Sequence, residues 1–336
     1  MTQAILNKLL AIFITVAIGW FAGRMRWLGQ ASAGIDPARV LGNAAFYIFV
    51  PALLFRTTAR LDLHGMPWNT VAAFFVPVVG MLLMVYLAQR FKRPETQQAD
   101  REAGEREAAQ PAVRAITATF GNSVQIGIPL AAALFGEAGL GLHIALVSLH
   151  ALVLLSVLTA LVELDLARAR AQHELSASLW RTLRTTAYNT IVHPVVLPVL
   201  AGMVWNLGGL GLPGPVDETL ALLGTAVAPV CLVLIGISLA YYGVGEHLAA
   251  AVGLALLKLV ALPALVLCVA HWGFGLRGLP LSVAVIMAAL PAGSNALIFA
   301  QRYRSQEVTT TTAIVLSTFG FVLTVPLWLA VLAQLG

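Results

Sequence analysis

The stretch GNSVQIGIPL, residues 121–130, places a glycine, two amides and a proline inside an otherwise apolar run. A helix that only fills lipid gains nothing from Gly121, Asn122, Gln125 or Pro129, since lipid leaves polar groups without partners. The surroundings decide whether the run is membranous. The chain has 336 residues, of which 59% are hydrophobic and 10% charged, with a mean hydropathy of +0.87. Soluble domains carry about a quarter charged residues, so this chain lacks the surface chemistry to dissolve.

Apolar runs long enough to cross a ~30 Å hydrocarbon core recur along the whole chain. Ten are expected, at about 5–23, 37–55, 68–89, 114–135, 139–164, 187–207, 216–240, 248–273, 279–301 and 307–334. The expected class is therefore an all-α polytopic membrane protein. The first run meets Arg24 and Arg26 without a small-residue cleavage site, so no cleavable signal peptide is expected. Cys231 and Cys268 both fall inside spans, which argues against a disulfide framework or a metal cluster. No cofactor is expected.

The +5 charge has a topological reading. With the N-terminus outside, alternate loops hold fifteen of the twenty Lys and Arg residues, and the opposite side holds Lys8, Arg56, Arg60 and Arg277. By the positive-inside rule, both termini are external and loops 90–113 and 165–186 are cytoplasmic. The basic balance thus excludes a nucleic-acid partner. In a bacterium the chain would sit in the cytoplasmic (inner) membrane, with periplasmic termini.

The loop at 166–186 divides the chain into residues 1–165 and 187–336, with five spans each. Five is odd, so the second half enters from the opposite side, an arrangement that allows an inverted repeat. Prolines sit at matching places: Pro51 and Pro229 in spans two and seven, Pro129 and Pro291 in spans four and nine. The separations are 78 and 62 residues, a difference of 16 that the 91–113 loop absorbs. Interrupted helices at corresponding places of two halves point to a transporter's binding site. Proline removes a backbone donor and frees carbonyls one turn earlier, so both breaks face protein or a water-filled cavity. Asn122, Ser123 and Gln125 stand beside one expected break, Ser294 and Asn295 beside the other. Where half-helices begin, free N–H groups and the dipole favour an anion.

At these residues the sequence resembles a known family. GNSVQIGIPL, APVCLVLIGISLA (228–240), LPAGSNALIFAQRY (290–303) and NAAFYIFVPALLF (43–55) are similar to bacterial auxin efflux carrier (AEC) family members. Those are known as malonate and malate permeases, with plant PIN-type auxin carriers as distant relatives. The resemblance implies an NhaA-like fold of two inverted five-helix repeats, with helices four and nine broken and crossing, and elevator-type alternating access. It implies that Asn122, Pro129, Pro291, Ser294 and Asn295 line the crossover, and it adds Asn43 or Tyr47 and His150 as polar residues near the site.

Other polar residues have two readings each. Lys258, well inside span eight, pairs with a substrate carboxylate or snorkels. His150 is a proton-sensitive ligand or a satisfied core histidine. His193 reads as structural, and Glu163, Asp165 and Glu307 as solvated faces or helix starts. No Asp or Glu sits mid-span, so the carboxylate equipment of cation antiporters is missing. The expected function is a secondary carrier of a small organic anion, a dicarboxylate such as malonate or malate first. The alternatives are a carrier for an aromatic, auxin-like monocarboxylate, or an uncoupled uniporter or channel. An enzyme is not expected, because no nucleophile–base pair or metal triad converges. The partners are the anion, the bilayer, a proton or sodium ion where coupling exists, and a second copy where the carrier dimerises.

Overall fold

The computed structural model describes residues 3–29, 37–61, 65–91, 101–173, 188, 191–192, 194–242 and 248–335. All of its extended elements are helices; the sole β feature among the described residues is an isolated antiparallel bridge between Gly121 and Ala292. In chain order the helices are α1 (Gln3–Arg24), α2 (Pro37–Ala59), α3 (Trp68–Phe91), α4 (Arg101–Thr119), α5 (Ile128–His173, two helical arms joined at a kink where Gly136 has φ 62°), α6 (Val196–Leu207), α7 (Gly214–Tyr242), α8 (Leu248–Gly273), α9 (Gly278–Ala289), α10 (Asn295–Arg302) and α11 (Glu307–Ala333). Among the described residues, six helices are long and apolar enough to cross a bilayer, lying within α2, α3, α5, α7, α8 and α11. Phe13–Arg24, Val196–Leu207 and Gly278–Ala289 are shorter apolar helices. This is a multi-pass membrane protein.

Two boundaries differ from expectation. The polar run 101–113 was expected in a loop; it is instead the first half of α4, continuous with span four. Its Glu, Arg and Ala residues are strong helix formers, and Ala108, Ala109, Ala112 and Val113 are buried at helical spacing. Span five likewise extends through Leu166 to His173. There Asp165 and Glu163 are buried, not solvated. Asp165 accepts from Tyr86 Oη at 2.6 Å and pairs with Arg90, and Tyr303 Oη donates to Glu163 at 3.3 Å.

Prolines shape the helices in a regular way. Three π-helical turns, Ala45–Phe49, Ser123–Gly127 and Leu257–Ala261, each end two residues before a proline, at Pro51, Pro129 and Pro263. A proline supplies no N–H and its ring crowds the carbonyl four residues back. Widening the preceding turn to i→i+5 bonding relieves that clash without ending the helix.

Close helix pairs depend on small residues. Gly19 of α1 lies against the Val233 carbonyl of α7, and Gly236 of α7 lies against Val16 of α1. A methyl group on either would collide with backbone, so the glycines set the helix separation. Gly202 of α6 lies against Thr58 of α2 in the same manner. At the other extreme α9 is apolar on every side because it is buried on every side, from Val283 through Ala289. Outward-facing Leu323, Leu222 and Val204 present the lipid surface. Hydroxyls within the spans mostly bond their own helix, as Thr117 Oγ1 does to Val113 O at 2.7 Å and Thr318 Oγ1 to Ile314 O at 2.7 Å.

Candidate functional site: the helix crossing

The core contains a place where two interrupted helices meet. Pro291 disfavours helical backbone at the residue before it, and Leu290 accordingly has ψ 148°, so α9 stops at Ala289. After five residues, 290–294, the chain resumes as α10, with Ser294 at its N-cap making no side-chain capping bond. In the first half α4 ends at Thr119, and residues 120–122 are extended before the π turn that leads into α5. The two extended pieces run antiparallel. Asn122 N donates to Pro291 O at 2.8 Å, and Gly293 N donates to Phe120 O at 2.8 Å. Ser317 Oγ of α11 accepts from Ala292 N at 3.1 Å. Backbone groups freed by each break are thus satisfied by the other break, as an apolar interior requires. Gly293 is essential to the fit: a methyl group there would stand 2.9 Å from both the Gly121 carbonyl and the Phe120 ring.

The first break lies upstream of where Pro129 would place it. Pro129 marks the end of a π turn in the resuming helix, and residues 120–122 carry the interruption. Pro291 lies within the second break itself.

Beside the crossing is a cavity of about 320 Å³. Asn122, Ser123, Ser294, Asn295 and His150 all line it. Residues at the starts of the π turn and of α10 line this space, so two positive dipole ends lie beside it. The Asn295 Oδ1 and His150 Nδ1 atoms are buried and, among the described residues, unpartnered. The His150 ring lies on Phe120, centroids 4.5 Å apart. His143 donates from Nε2 to the Ser123 carbonyl at 2.8 Å, tying the long arm of α5 to the crossing. The walls are mostly apolar, with Leu53, Leu54, Val147, Leu152 and Val227, and the cavity reaches Arg56 and Thr57 on α2.

Three expected site residues stand elsewhere. Asn43 and Tyr47 face outward from α2, Tyr47 at 48% exposure, and neither borders the cavity. Tyr47 instead stacks beneath the Arg302 guanidinium at 5.4 Å. The π turn at 45–49 adds a residue to that turn, and one residue rotates a helix face by about 100°, which sequence periodicity does not register. Lys258 also borders neither cavity; its ammonium donates to the Ala288 carbonyl at the end of α9. The side chains of Gln125 and Pro129, and residue His193, lie outside the described residues. Sequence reading missed Arg56, Thr57, Ser148 and Thr225 as lining residues. For Arg56 a signal existed, since it is a cation on the side that otherwise has few.

A second cavity of about 540 Å³ lies among α1, α7 and α11, lined by Phe13, Trp20, Ile235, Phe319 and other apolar residues. Asn122 borders both cavities. On α7 the first spans residues 220–228 and the second 232–239, so the two occupy successive lengths of the same helix.

The two ends of the molecule are tied differently. Near the second cavity's end, α2 and α7 hold α10 and α11 directly. Arg39 pairs with Glu307 at 3.2 Å, Arg302 covers Phe46, Gln301 Nε2 donates to Ser238 Oγ at 3.2 Å, and Gly42 lies against Gln301. At the opposite end the polar links among the described residues include a set joining α2, α6 and α7. Arg56 and Arg60 both bind Asp217, at 2.8 and 3.0 Å, and Asn206 Nδ2 caps the Ala59 and Leu61 carbonyls.

Paired broken helices around a cavity with amides and hydroxyls at its crossing, inside a multi-pass helical protein, define a membrane transporter. The chain belongs to the membrane transport protein family, the auxin efflux carriers, which matches residues 4–329. It is 25% identical over 333 residues to the uncharacterized transporter YfdV of Escherichia coli K12, covering 97% of each chain. It is 21% identical over 362 residues to auxin efflux carrier component 5 of Arabidopsis thaliana, covering 98% of this chain and 96% of that one. An uncharacterized transporter of Methanothermobacter thermautotrophicus is 23% identical over 331 residues, covering 97% and 98%.

Proposed function

We propose that this transporter is a secondary carrier of a small organic anion, with a carboxylate held at the crossing by Asn122, Asn295, Ser123 and Ser294. The observation that carries the reading is the convergence of two helix starts and two amides on one cavity. An uncharged amide donates to a carboxylate without the desolvation cost of a buried cation, and the helix ends supply positive potential. Family membership is in keeping with transport and with a role other than catalysis.

A dicarboxylate such as malonate or malate fits when its second carboxylate reaches Arg56 at the far end of the cavity. The apolar walls favour a second reading, a monocarboxylate with a hydrophobic or aromatic body, in keeping with the plant relatives named as auxin efflux carriers. Movement is of the elevator type: α3–α5 and α8–α11, which contain the crossing, travel against α1, α2, α6 and α7 as two inverted five-helix halves each contribute to both sets. The carrier works in the cytoplasmic membrane with external termini, a placement supported by the charge bias of the loops.

The test is a thermal-shift screen of purified protein against mono- and dicarboxylates. A ligand at 100 times its Kd adds about 2.7 kcal/mol of stability. Counterflow exchange in liposomes then separates carrier from channel. A flat melting temperature across both panels would sink the reading.

A further inference from the structure

Lys258 has no exposed surface and touches neither cavity. Among the described residues its ammonium makes one hydrogen bond, to the Ala288 carbonyl at 2.5 Å, and no ion pair. A buried ammonium is costly unless an opposing charge or dipole meets it. What meets it is a helix end: Pro291 stops α9 at Ala289, and the last turn of that helix is left with carbonyls lacking helical partners. The ammonium packs against Gly121, where an added methyl group would lie 3.4 Å from Nζ. The charge therefore lies under the antiparallel pair, against the negative end of a half-helix. Carriers built on broken helices hold a coupling Na⁺ with such unwound carbonyls and half-helix C-terminal ends. Here a cation reaches the same kind of place on a side chain.

We propose that the Lys258 ammonium is a tethered cation occupying the position at the crossing where a coupling sodium ion would bind, so that the carrier takes its anion without a co-ion. The geometry makes it a positioning residue. It balances the α9 end and holds the pair of extended segments, while Asn122 and Asn295 face the substrate from the other side. The proposal rests on the anion reading only for the affinity measurement below; the cation measurements stand without it.

The test uses the purified full chain in sodium chloride and in choline chloride at equal ionic strength. The wild type is expected to melt at the same temperature in both. Its anion affinity should agree within about twofold, whereas a coupling ion changes affinity by about 5- to 150-fold. Lys258→Ala empties the position but keeps the carbonyls. That variant should melt lower in choline and recover by at least about 2 °C in sodium or methylammonium. Lys258→Met fills the position with an apolar chain and should not recover. Sodium dependence of the wild type, in melting or in affinity, overturns the proposal whatever the variants do. So does a Lys258→Ala protein indifferent to both cations. If no carboxylate binds, the anion reading fails while the melting comparison still decides this one.

Discussion

The two faces of the helix crossing are made from the same break and put to opposite ends. On one face the starts of the π turn and of α10 look into a cavity with Asn122, Ser294 and Asn295 around it. On the other, the end of α9 closes over Lys258 with no space left. Helix starts carry partial positive charge and helix ends partial negative charge. An interrupted pair therefore creates a site for an anion and a site for a cation together. In the proposed reading the chain leaves the first open to solutes and fills the second from its own sequence.

The largest expected effect comes from forcing the two faces apart. Gly293→Val places a side chain where Gly121 and Phe120 leave no room, and a cost above about 4 kcal/mol is expected for such overpacking against backbone. The variant should fail to elute as a monodisperse species in size-exclusion chromatography. A well-behaved Gly293→Val protein with an unchanged melting temperature would show that the crossing is looser than described.

Next in size is the anion face alone. A hydrogen bond to a charged group contributes ~1.5–3 kcal/mol, so Asn122→Ala or Asn295→Ala should weaken binding roughly ten- to a hundredfold. Stability should change much less. If instead both variants lose stability and keep their Kd, the amides patch the breaks and do not hold substrate.

A smaller effect is expected at Arg56. Its guanidinium is partly solvated and already engaged by Asp217, and exposed pairs contribute ~0.2–1 kcal/mol. Arg56→Gln should weaken a dicarboxylate a few-fold and leave an apolar monocarboxylate unaffected. Binding isotherms for one ligand of each kind separate the two substrate readings.

The smallest change is expected at the tied end. Glu307→Gln removes the link to Arg39, again worth ~0.2–1 kcal/mol, or at most about a fivefold shift in population. A cysteine at buried Ser238, beside Gln301, should label correspondingly faster in that background. Equal labelling rates would mean the ion pair does not hold this end shut.

Much of this arrangement is legible in the residues, and the exceptions have physical causes. Pro291 announces its break because a residue before proline avoids helical backbone, and Leu290 does so. Pro129 misleads because the π turn ahead of it absorbs the clash, leaving Gly121 and its neighbours to carry the interruption. Asn122, Ser123, Ser294 and Asn295 reach the cavity because they flank chain ends that must be satisfied locally. Asn43 and Tyr47 do not, because both face outward from α2. The burial of Asp165 is invisible in sequence, since its partners Tyr86 and Arg90 come from another helix.

Asn122 borders both cavities, and this bears on direction. One amide thus serves as a common wall of the two cavities. Under the uncoupled reading proposed above, concentrations and membrane voltage alone would set the balance between uptake and release. Whether a cell uses it to import or to expel its anion becomes a property of that cell's metabolism, and the same protein would reverse when the gradient does.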